Sequence, residues 1–434
     1  MSTVAEVKLW GRTIGAVALE DGADVASFQY DPAFARSNIE IAPFTMPLSD
    51  RVYTFPALSR ETFHGLPGLL SDSIPDRFGN ALINAWLATQ GRTPESFNAV
   101  ERLCYTGTRG MGALEFFPAM GPTAKKADEI QIDRLVELAS EILTSRRNLK
   151  TRFMHEDKTN AMKEILRVGT SAGGARAKAV IAWNPETNEV RSGQLKADKG
   201  FGYWLLKFDG VRGNKDKELD DPTGYCAIEY AYYRMATDAG INMNECRLFE
   251  EGSRRHFMTR RFDRTNTGEK LHLQSLGALA HLDFNQEGAH GYEQALLTIK
   301  QLGLPMSAIE EQFRRMTFNI VARNQDDHVK NTAFLMDKSG RWSLSPAFDI
   351  IYSFQPEGKW TSSHQMSLNG KRDHFTIADF KACAETASMK RGRAKTIVAE
   401  VLDVVSKWKA YADEAEVNPS RRDNILKTLR LNLS

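Results

Sequence analysis

Asn324-Gln325-Asp326-Asp327-His328-Val329-Lys330-Asn331 crowds two carboxylates, an imidazole, an ammonium and carboxamides into eight residues. An apolar helical run with Phe313, Met316, Ile320 and Val321 precedes it, and the strand-like Ala333-Phe334-Leu335-Met336 follows. Polar groups at this density are costly to leave without partners. A loop anchored between two buried elements is where chemistry tends to be placed.

Asp326 and Asn331 stand five positions apart, the Asp-to-Asn spacing of the protein-kinase catalytic loop. In that loop the Asp accepts the proton of the attacking hydroxyl and the Asn ligates magnesium. The chain continues through Asp337-Lys338-Ser339-Gly340 to Trp342-Ser343-Leu344, a hairpin pattern. Pro346-Ala347-Phe348-Asp349 follows at once and sets a third carboxylate where kinase-like folds carry a metal ligand. Solvated turn residues are the plain alternative for Asp326, Asp327 and Asp349. The hairpin in register with Asp349 favours the chemical reading.

A chain of 434 residues predicts two or three domains with ample core. A net charge of +2 and 42% hydrophobic residues exclude a disordered tail or a polycation. Cys104, Cys226, Cys246 and Cys383 form no Cys-x-x-Cys pair, so zinc ribbons and disulfide frameworks are not expected; four reduced thiols in a cytoplasmic protein are. Neither a cationic-then-apolar leader nor a run of membrane-spanning length is found, so no membrane association is expected.

Val7 to Trp10, Arg12 to Val17 and Val25 to Tyr30 alternate or run apolar between Gly11, Gly15 and Gly22, which predicts a small antiparallel sheet. Asp76-Arg77-Phe78-Gly79-Asn80 leads into a helix, and Gly107-Thr108-Arg109-Gly110-Met111-Gly112 reads as a turn or a phosphate cradle. Gly121, Pro122 and a lysine pair within 118–126 suggest a linker. In Val168-Gly169-Thr170-Ser171-Ala172-Gly173-Gly174-Ala175-Arg176-Ala177-Lys178, hydroxyls, glycines and cations are suited to phosphate oxygens, although the Walker spacing is absent. Lys207, in Tyr203-Trp204-Leu205-Leu206-Lys207-Phe208, is either a strand lysine serving α- and β-phosphates or an outward-facing one. Glu229 either pairs with it or lies on the surface. His256 to Arg264 is strand-like and then polar, as a hinge would be, and helical periodicity dominates at 292–302, 309–322, 377–387 and 394–410. The expected fold class is α+β and bilobal, protein-kinase-like: a small β-rich N-terminal domain over 1–120, a mixed α/β N-terminal lobe over 121–262 and a mostly helical C-terminal lobe over 263–434.

The loop 171–178, Leu205-Leu206-Lys207, Arg261-Phe262-Asp263-Arg264, the loop 324–331 and Ala347-Phe348-Asp349 together resemble, in order and spacing, the HipA family of bacterial serine/threonine kinase toxins. Leu66-Pro67-Gly68-Leu69-Leu70, Pro75-Asp76-Arg77-Phe78-Gly79 and Arg109 to Leu114 extend the resemblance to that family's N-terminal domain. The resemblance implies Asp326 as catalytic aspartate, Asn331 and Asp349 as Mg2+ ligands, and ATP contacts from Gly173, Gly174, Ala175, Arg176, Ala177, Lys178, Lys207, His328, Lys330, Asn331, Phe348 and Asp349. The backbone of Arg260, Arg261 and Phe262 would receive the adenine. Ser171, with Thr170 as its neighbouring alternative, would be autophosphorylated and its loop expelled by the added charge. Two positions depart from the family pattern: Asp327 stands where a small residue is usual, with a possible effect on magnesium binding, and Arg260 where a hinge glutamate is common.

The resemblance further implies phosphorylation of an aminoacyl-tRNA synthetase, glutamyl-tRNA synthetase first, with arrest of translation and persistence. It also implies a HipB-like helix-turn-helix antitoxin and operator DNA bound through that complex. The residues alone leave two rivals: a small-molecule phosphotransferase of the aminoglycoside or sugar type, and an ATP-binding co-repressor module without turnover.

Overall fold

Ala5, Val7 and Leu9 are buried on one face of β1 (Thr3–Leu9), as period-two alternation requires. The chain returns as β2 (Arg12–Leu19) through Trp10 and Gly11. Both have positive φ, 51° and 79°, the two-residue hairpin geometry whose twist matches that of its strands. With β3 (Ser27–Tyr30), β4 (Val52–Tyr53) and β5 (Leu114–Phe117) they make an antiparallel sheet of order β4-β3-β2-β1-β5. This computed structural model describes residues 2–122, 130–144, 164–166, 168–169, 176–195, 197–211, 223–265 and 267–433.

Helices Arg77–Thr89, Ala99–Thr106 and Ile132–Thr144 follow the first strands. Asp76 caps the first by accepting from the Gly79 amide at 2.6 Å. A second antiparallel sheet, of order β7-β6-β8-β10-β9, is built from β6 (Lys178–Trp183), β7 (Val190–Ser192), β8 (Gly202–Lys207), β9 (Cys246–Glu251) and β10 (Arg254–Arg260). Phe78, Leu82, Tyr105, Leu135 and Ile142 share one apolar cluster with Ile181, Trp204, Leu206 and Met258. β11 (His272–Ser275) comes next in the chain.

The helical unit contains Tyr225–Asp238, Tyr292–Gln301, Met306–Val321, Ile377–Thr386, Arg393–Val405, Trp408–Glu414 and Pro419–Thr428. It also carries β12 (Ala333–Met336) up to Leu335 and β13 (Trp342–Leu344). Ile309, Phe313, Met316 and Ile320 lie at helical spacing and are all buried, so the Met306–Val321 helix is central to this core. Truncating one such side chain to Ala costs about 2–5 kcal/mol.

The chain therefore divides into two compact units: Met1–Thr223 with Phe249–Gln274 and Met336–Arg341, and Gly224–Leu248 with Ser275–Leu335 and Trp342–Ser434. This differs from the three segments expected. One apolar cluster joins residues 78–143 to 165–258. The Tyr225–Asp238 helix leaves the expected 121–262 lobe because Ile228, Ala231, Tyr232 and Met235 pack with Phe318, Val321 and Trp408. The helix expected over 394–410 breaks after Val405, where the Lys407 amide turns to the Val404 carbonyl. That re-aims Trp408 so that its indole donates to the Arg422 carbonyl at 2.9 Å.

Candidate active site

In the helical unit, the Met306–Val321 helix stops at Ala322 and Arg323 takes a left-handed φ of 58°. The chain then runs parallel to Ser353: the Gln325 amide donates to the Ser353 carbonyl at 3.2 Å and the Ser353 amide to the Arg323 carbonyl at 3.0 Å. Asp349 begins the segment leading to Ser353 and is itself left-handed, φ 53°, a conformation that costs about 1–2 kcal/mol for most residues but that Asp tolerates. Asn324 Nδ2 donates to the Asp349 carbonyl at 3.4 Å. The loop and the Asp349 turn, distant from each other in sequence, are thus tied together.

Inside the loop, Asn331 Nδ2 donates to the Asp326 carbonyl at 2.8 Å, closing the five-residue span on itself and leaving Asn331 Oδ1 as its acceptor face. Asp326 is half-buried, and its Oδ1 accepts from the Trp360 indole at 2.6 Å. His328 Nε2 lies 3.8 Å from the same oxygen. Lys330 Nζ sits 4.8 Å from the centroid of Phe284, and the His328 ring lies 5.4 Å from that same ring. Hard oxygen donors such as Asn331 Oδ1 and the Asp349 carboxylate suit Mg2+, which keeps its remaining positions for phosphate and water. Among the described residues no three His, Cys, Asp or Glu side chains form a metal-holding group.

Asp327 has a different place from the one its sequence position suggested. It is 3% exposed; Oδ2 accepts from Tyr292 OH at 2.5 Å and His364 Nδ1 at 2.7 Å, and Oδ1 from the Gln365 amide at 2.8 Å. Burial pushes its carboxyl upward, but these donors outweigh burial and hold it below the ordinary range. Arg430 Nη1 lies 2.8 Å from His364 Nε2. A guanidinium has no acceptor, so Nε2 must accept and His364 is neutral, in line with the lowering that its burial produces.

The segment 360–365 backs the whole loop. Trp360 holds Asp326, the Thr361 carbonyl accepts from Gln325 Nε2 at 2.9 Å, and His364 and Gln365 hold Asp327. Gln365 Nε2 in turn donates to the Trp360 carbonyl. Sequence reading gave this segment no role, because it has neither helical nor strand periodicity; its one signal was a Trp, a His and a Gln concentrated in an aperiodic stretch.

In the first unit, Lys207 is buried at the end of β8, 5.8 Å from the Phe257 ring centroid. It stands directly opposite Lys178 in the β6–β8 register. The two ammonium stems share one sheet face, an arrangement that needs an anion. Lys178 has one: its Nζ lies 3.0 Å from Asp76 Oδ2, with the two side chains 2% and 8% exposed. Lys178 is thus paired with the residue that caps Arg77–Thr89. Arg176 and Ala177 precede it on the approach to β6, while Thr170, Ser171, Gly173, Gly174 and Ala175 lie outside the described residues.

The hinge expected at 260–264 is a buried ion cluster. Asp263 accepts from Arg261 Nε at 2.9 Å and Nη2 at 2.7 Å, from Arg264 Nη1 at 2.8 Å and from the Gly112 amide at 2.7 Å. Burial opposes its ionisation, yet the two guanidiniums and the amide hold its carboxyl far below the usual range. One amide of the glycine-rich 107–112 loop, that of Gly112, thus serves an anion, and the anion is a protein carboxylate. The Arg261 amide donates to the Tyr203 carbonyl at 2.9 Å; Arg260 and Phe262 are half-buried beside it. In the helical unit Phe348 is half-buried, and Glu229 is 2% exposed, not a surface carboxylate.

A model of the HipA-like C-terminal domain matches residues 170–408, and one of the HipA N-terminal domain matches residues 5–117. The chain belongs to the HipA family. The HipA structure solved from Shewanella oneidensis MR-1, as a complex of HipA, HipB and its operator DNA, is similar to this chain. It has 15% identity, a TM-score of 0.68 and coverage of 98% of this chain and 94% of that one. At this identity the likeness shows the fold: α+β and protein-kinase-like, as the sequence led us to expect. The Helicobacter pylori proinflammatory kinase CtkA matches 52% of this chain and 92% of its own at 12% identity; its TM-score of 0.30 says nothing about the fold. The N-terminal HipA match ends at 117, near the first expected boundary, although the packing there is continuous. No helix among the described residues is long and apolar enough to cross a membrane.

Proposed function

We propose that this HipA-family chain is an ATP- and Mg2+-dependent serine/threonine protein kinase that acts as the toxin of a toxin–antitoxin pair. The observation that carries the reading is the loop itself: Asp326 oriented by Trp360, Asn331 folded back onto the Asp326 carbonyl, and the Asp349 turn tied to Asn324. With Oδ1 engaged by the indole, Oδ2 of Asp326 is the oxygen that would take the proton of an acceptor hydroxyl. Asn331 Oδ1 and the Asp349 carboxylate would hold Mg2+, whose charge, when bound with ATP, offsets that of the phosphate oxygens. Lys207, and His328 and Lys330 in the loop, would contribute to nucleotide binding. Positioning and electrostatics would supply the rate, with no covalent enzyme intermediate.

By the same reading the acceptor is a serine or threonine of a protein, an aminoacyl-tRNA synthetase and glutamyl-tRNA synthetase first. Ser171 would be the autophosphorylation site, and the chain would work in the cytoplasm. A HipB-like helix-turn-helix antitoxin would bind it and bring it to operator DNA, as in the complex solved from Shewanella oneidensis. The test is transfer of labelled γ-phosphate from ATP to the chain and to lysate proteins, read by mass spectrometry. Asp326→Asn is expected to lower transfer by about three orders of magnitude or more while ATP still binds; transfer at the wild-type rate would refute the assignment. Ser171→Ala is expected to remove most label from the chain itself.

A further inference from the structure

Residues 429–433 follow the last helix and lie beyond the 170–408 family match. Leu429 and Leu433 are part of the core of the helical unit. Between them Arg430, 9% exposed, enters the base of the 324–331 loop. Its backbone amide donates to the Val321 carbonyl at 2.9 Å and Nη1 to the Ile320 carbonyl at 2.9 Å, both at the end of the helix that launches the loop. Nη1 also meets His364 Nε2 at 2.8 Å, and Nη2 donates to Gln325 Oε1 at 3.0 Å and Asp373 Oδ1 at 2.6 Å. The guanidinium lies 5.4 Å from the Phe375 ring centroid. Nearby, Arg323 Nε donates to the Thr428 carbonyl at 2.7 Å, and Arg323 Nη1 joins Arg430 on Gln325 Oε1 at 2.9 Å.

These bonds reach the two residues that flank Asp326. Gln325 is held directly. Asp327 is held through His364, whose Nδ1 donates to it. We propose that Arg430 is a positioning residue for phosphoryl transfer: from the C-terminal segment it clamps both neighbours of Asp326 and so fixes where the Asp326 carboxylate sits. The planar fork, with its several donors in fixed directions, does what a single ammonium cannot. This rests on the kinase reading above, and it adds that the competence of the loop depends on a segment remote from it in sequence. Misplacement of a reacting group by about 1 Å costs on the order of 100-fold in rate, so loosening the clamp acts on turnover and leaves nucleotide affinity in place.

The experiment uses the full chain with labelled ATP, measuring kcat, KM for ATP and nucleotide affinity. Absence of transfer by the wild-type chain under any condition would count against the kinase reading itself, and the clamp would fall with it. With an active wild type, Arg430→Met is expected to lower kcat by about 30-fold with ATP affinity within about twofold, and Arg430→Lys by about tenfold. Ile425→Ala, which loosens the buried face of the Pro419–Thr428 helix without touching the loop, serves as the stability control. It is expected to keep kcat within about twofold in the folded fraction. Equal kcat in Arg430→Met and wild type, or an equal loss in Ile425→Ala, would overturn the proposal. Should Arg430→Met not fold, Asp373→Ala decides: it removes the outer anchor of Arg430 together with the 3.8 Å ion pair to Arg323, a kcat about threefold lower at unchanged ATP affinity supports the clamp, and an unchanged kcat refutes it.

Discussion

Asp327→Asn separates the two roles open to Asp327, magnesium tuning and structural support. The carboxylate serves three donors with two oxygens: Tyr292 OH and His364 Nδ1 on Oδ2, and the Gln365 amide on Oδ1. An asparagine has one acceptor oxygen. If it faces Tyr292 and His364, its NH2 confronts the Gln365 N–H. If it is turned the other way, its NH2 confronts His364 Nδ1–H, and that ring cannot change tautomer because Arg430 requires Nε2 as an acceptor. The first orientation loses the Gln365 bond and the second the His364 bond, each leaving a buried donor unsatisfied, and the neutral amide ends the charge assistance of the bonds that remain, together about 2–3 kcal/mol. Asp327→Ala abandons all three donors and costs about 4–5 kcal/mol. For a domain with a total stability of roughly 5–15 kcal/mol these are large fractions. The Asn variant should lower Tm by about 5–10 °C in calorimetry. Its Mg2+ midpoint for phosphoryl transfer should match the wild type, whereas Asp349→Asn should do the reverse, raising the midpoint about tenfold or more at little cost in Tm. A Tm within about 2 °C of wild type for Asp327→Asn, or a tenfold shift of its Mg2+ midpoint, would refute the reasoning.

Trp360→Phe keeps an aromatic at the site but removes the indole donor from Asp326 Oδ1; kcat should fall about tenfold with nucleotide affinity unchanged, in steady-state transfer assays. Asp76→Asn keeps the helix cap but leaves the Lys178 ammonium buried without its carboxylate, so unfolding by urea should show about 2–4 kcal/mol lost. His256, His272 and His281 are pushed down to about 4 by burial. In the unfolded chain they titrate near about 6.5, so between these values the unfolded state binds more protons and stability falls as pH drops, by up to about 3 kcal/mol per site at pH 4. Thermal scans from pH 7 to pH 4 should show Tm falling throughout this window, and a flat profile would refute the burial of these rings.

What could be read from sequence was what has a period. Ile309, Phe313, Met316 and Ile320 mark their helix by spacing alone, and the alternation through Val7 and Leu9 marks the first strand, because burial on one face repeats along the chain. The loop from Asp326 to Asn331 was legible because its chemistry is compressed into one span. Asp76 with Lys178 and Gly112 with Asp263 were not, since each pair is joined across more than a hundred residues and neither end carries a local signature. Lys178 shows the consequence most sharply. A lysine closing a glycine-rich stretch has the composition of a phosphate ligand, and only the fold reveals the Asp76 carboxylate beside it.

The support around Asp326 follows the same division. Asp326, His328, Lys330 and Asn331 lie within one loop, whereas the residues that hold that loop come from 292, 319, 360–365, 373 and 430. Asn319 Nδ2 lies 3.1 Å from Tyr292 OH, and Asn324 Nδ2 donates to Asn319 Oδ1 at 3.0 Å, so the chain of bonds from Arg430 through His364, Asp327, Tyr292 and Asn319 returns to the first residue of the loop. A polar network of this kind offsets its desolvation where its members find partners, as the Asp327 carboxylate does with three donors on two oxygens. Its cost explains why an aspartate can stand at 327, where a small residue would need none of these partners: once His364 is fixed as a neutral donor by Arg430, the carboxylate is the group that satisfies Tyr292, His364 and Gln365 at once. The carboxylate at 327 and the C-terminal clamp are then two ends of one arrangement, and changing either should expose dependence on the other. In a double-mutant cycle, Asp327→Ala and Arg430→Met should be non-additive in stability by at least about 1 kcal/mol, the mark of residues in one network.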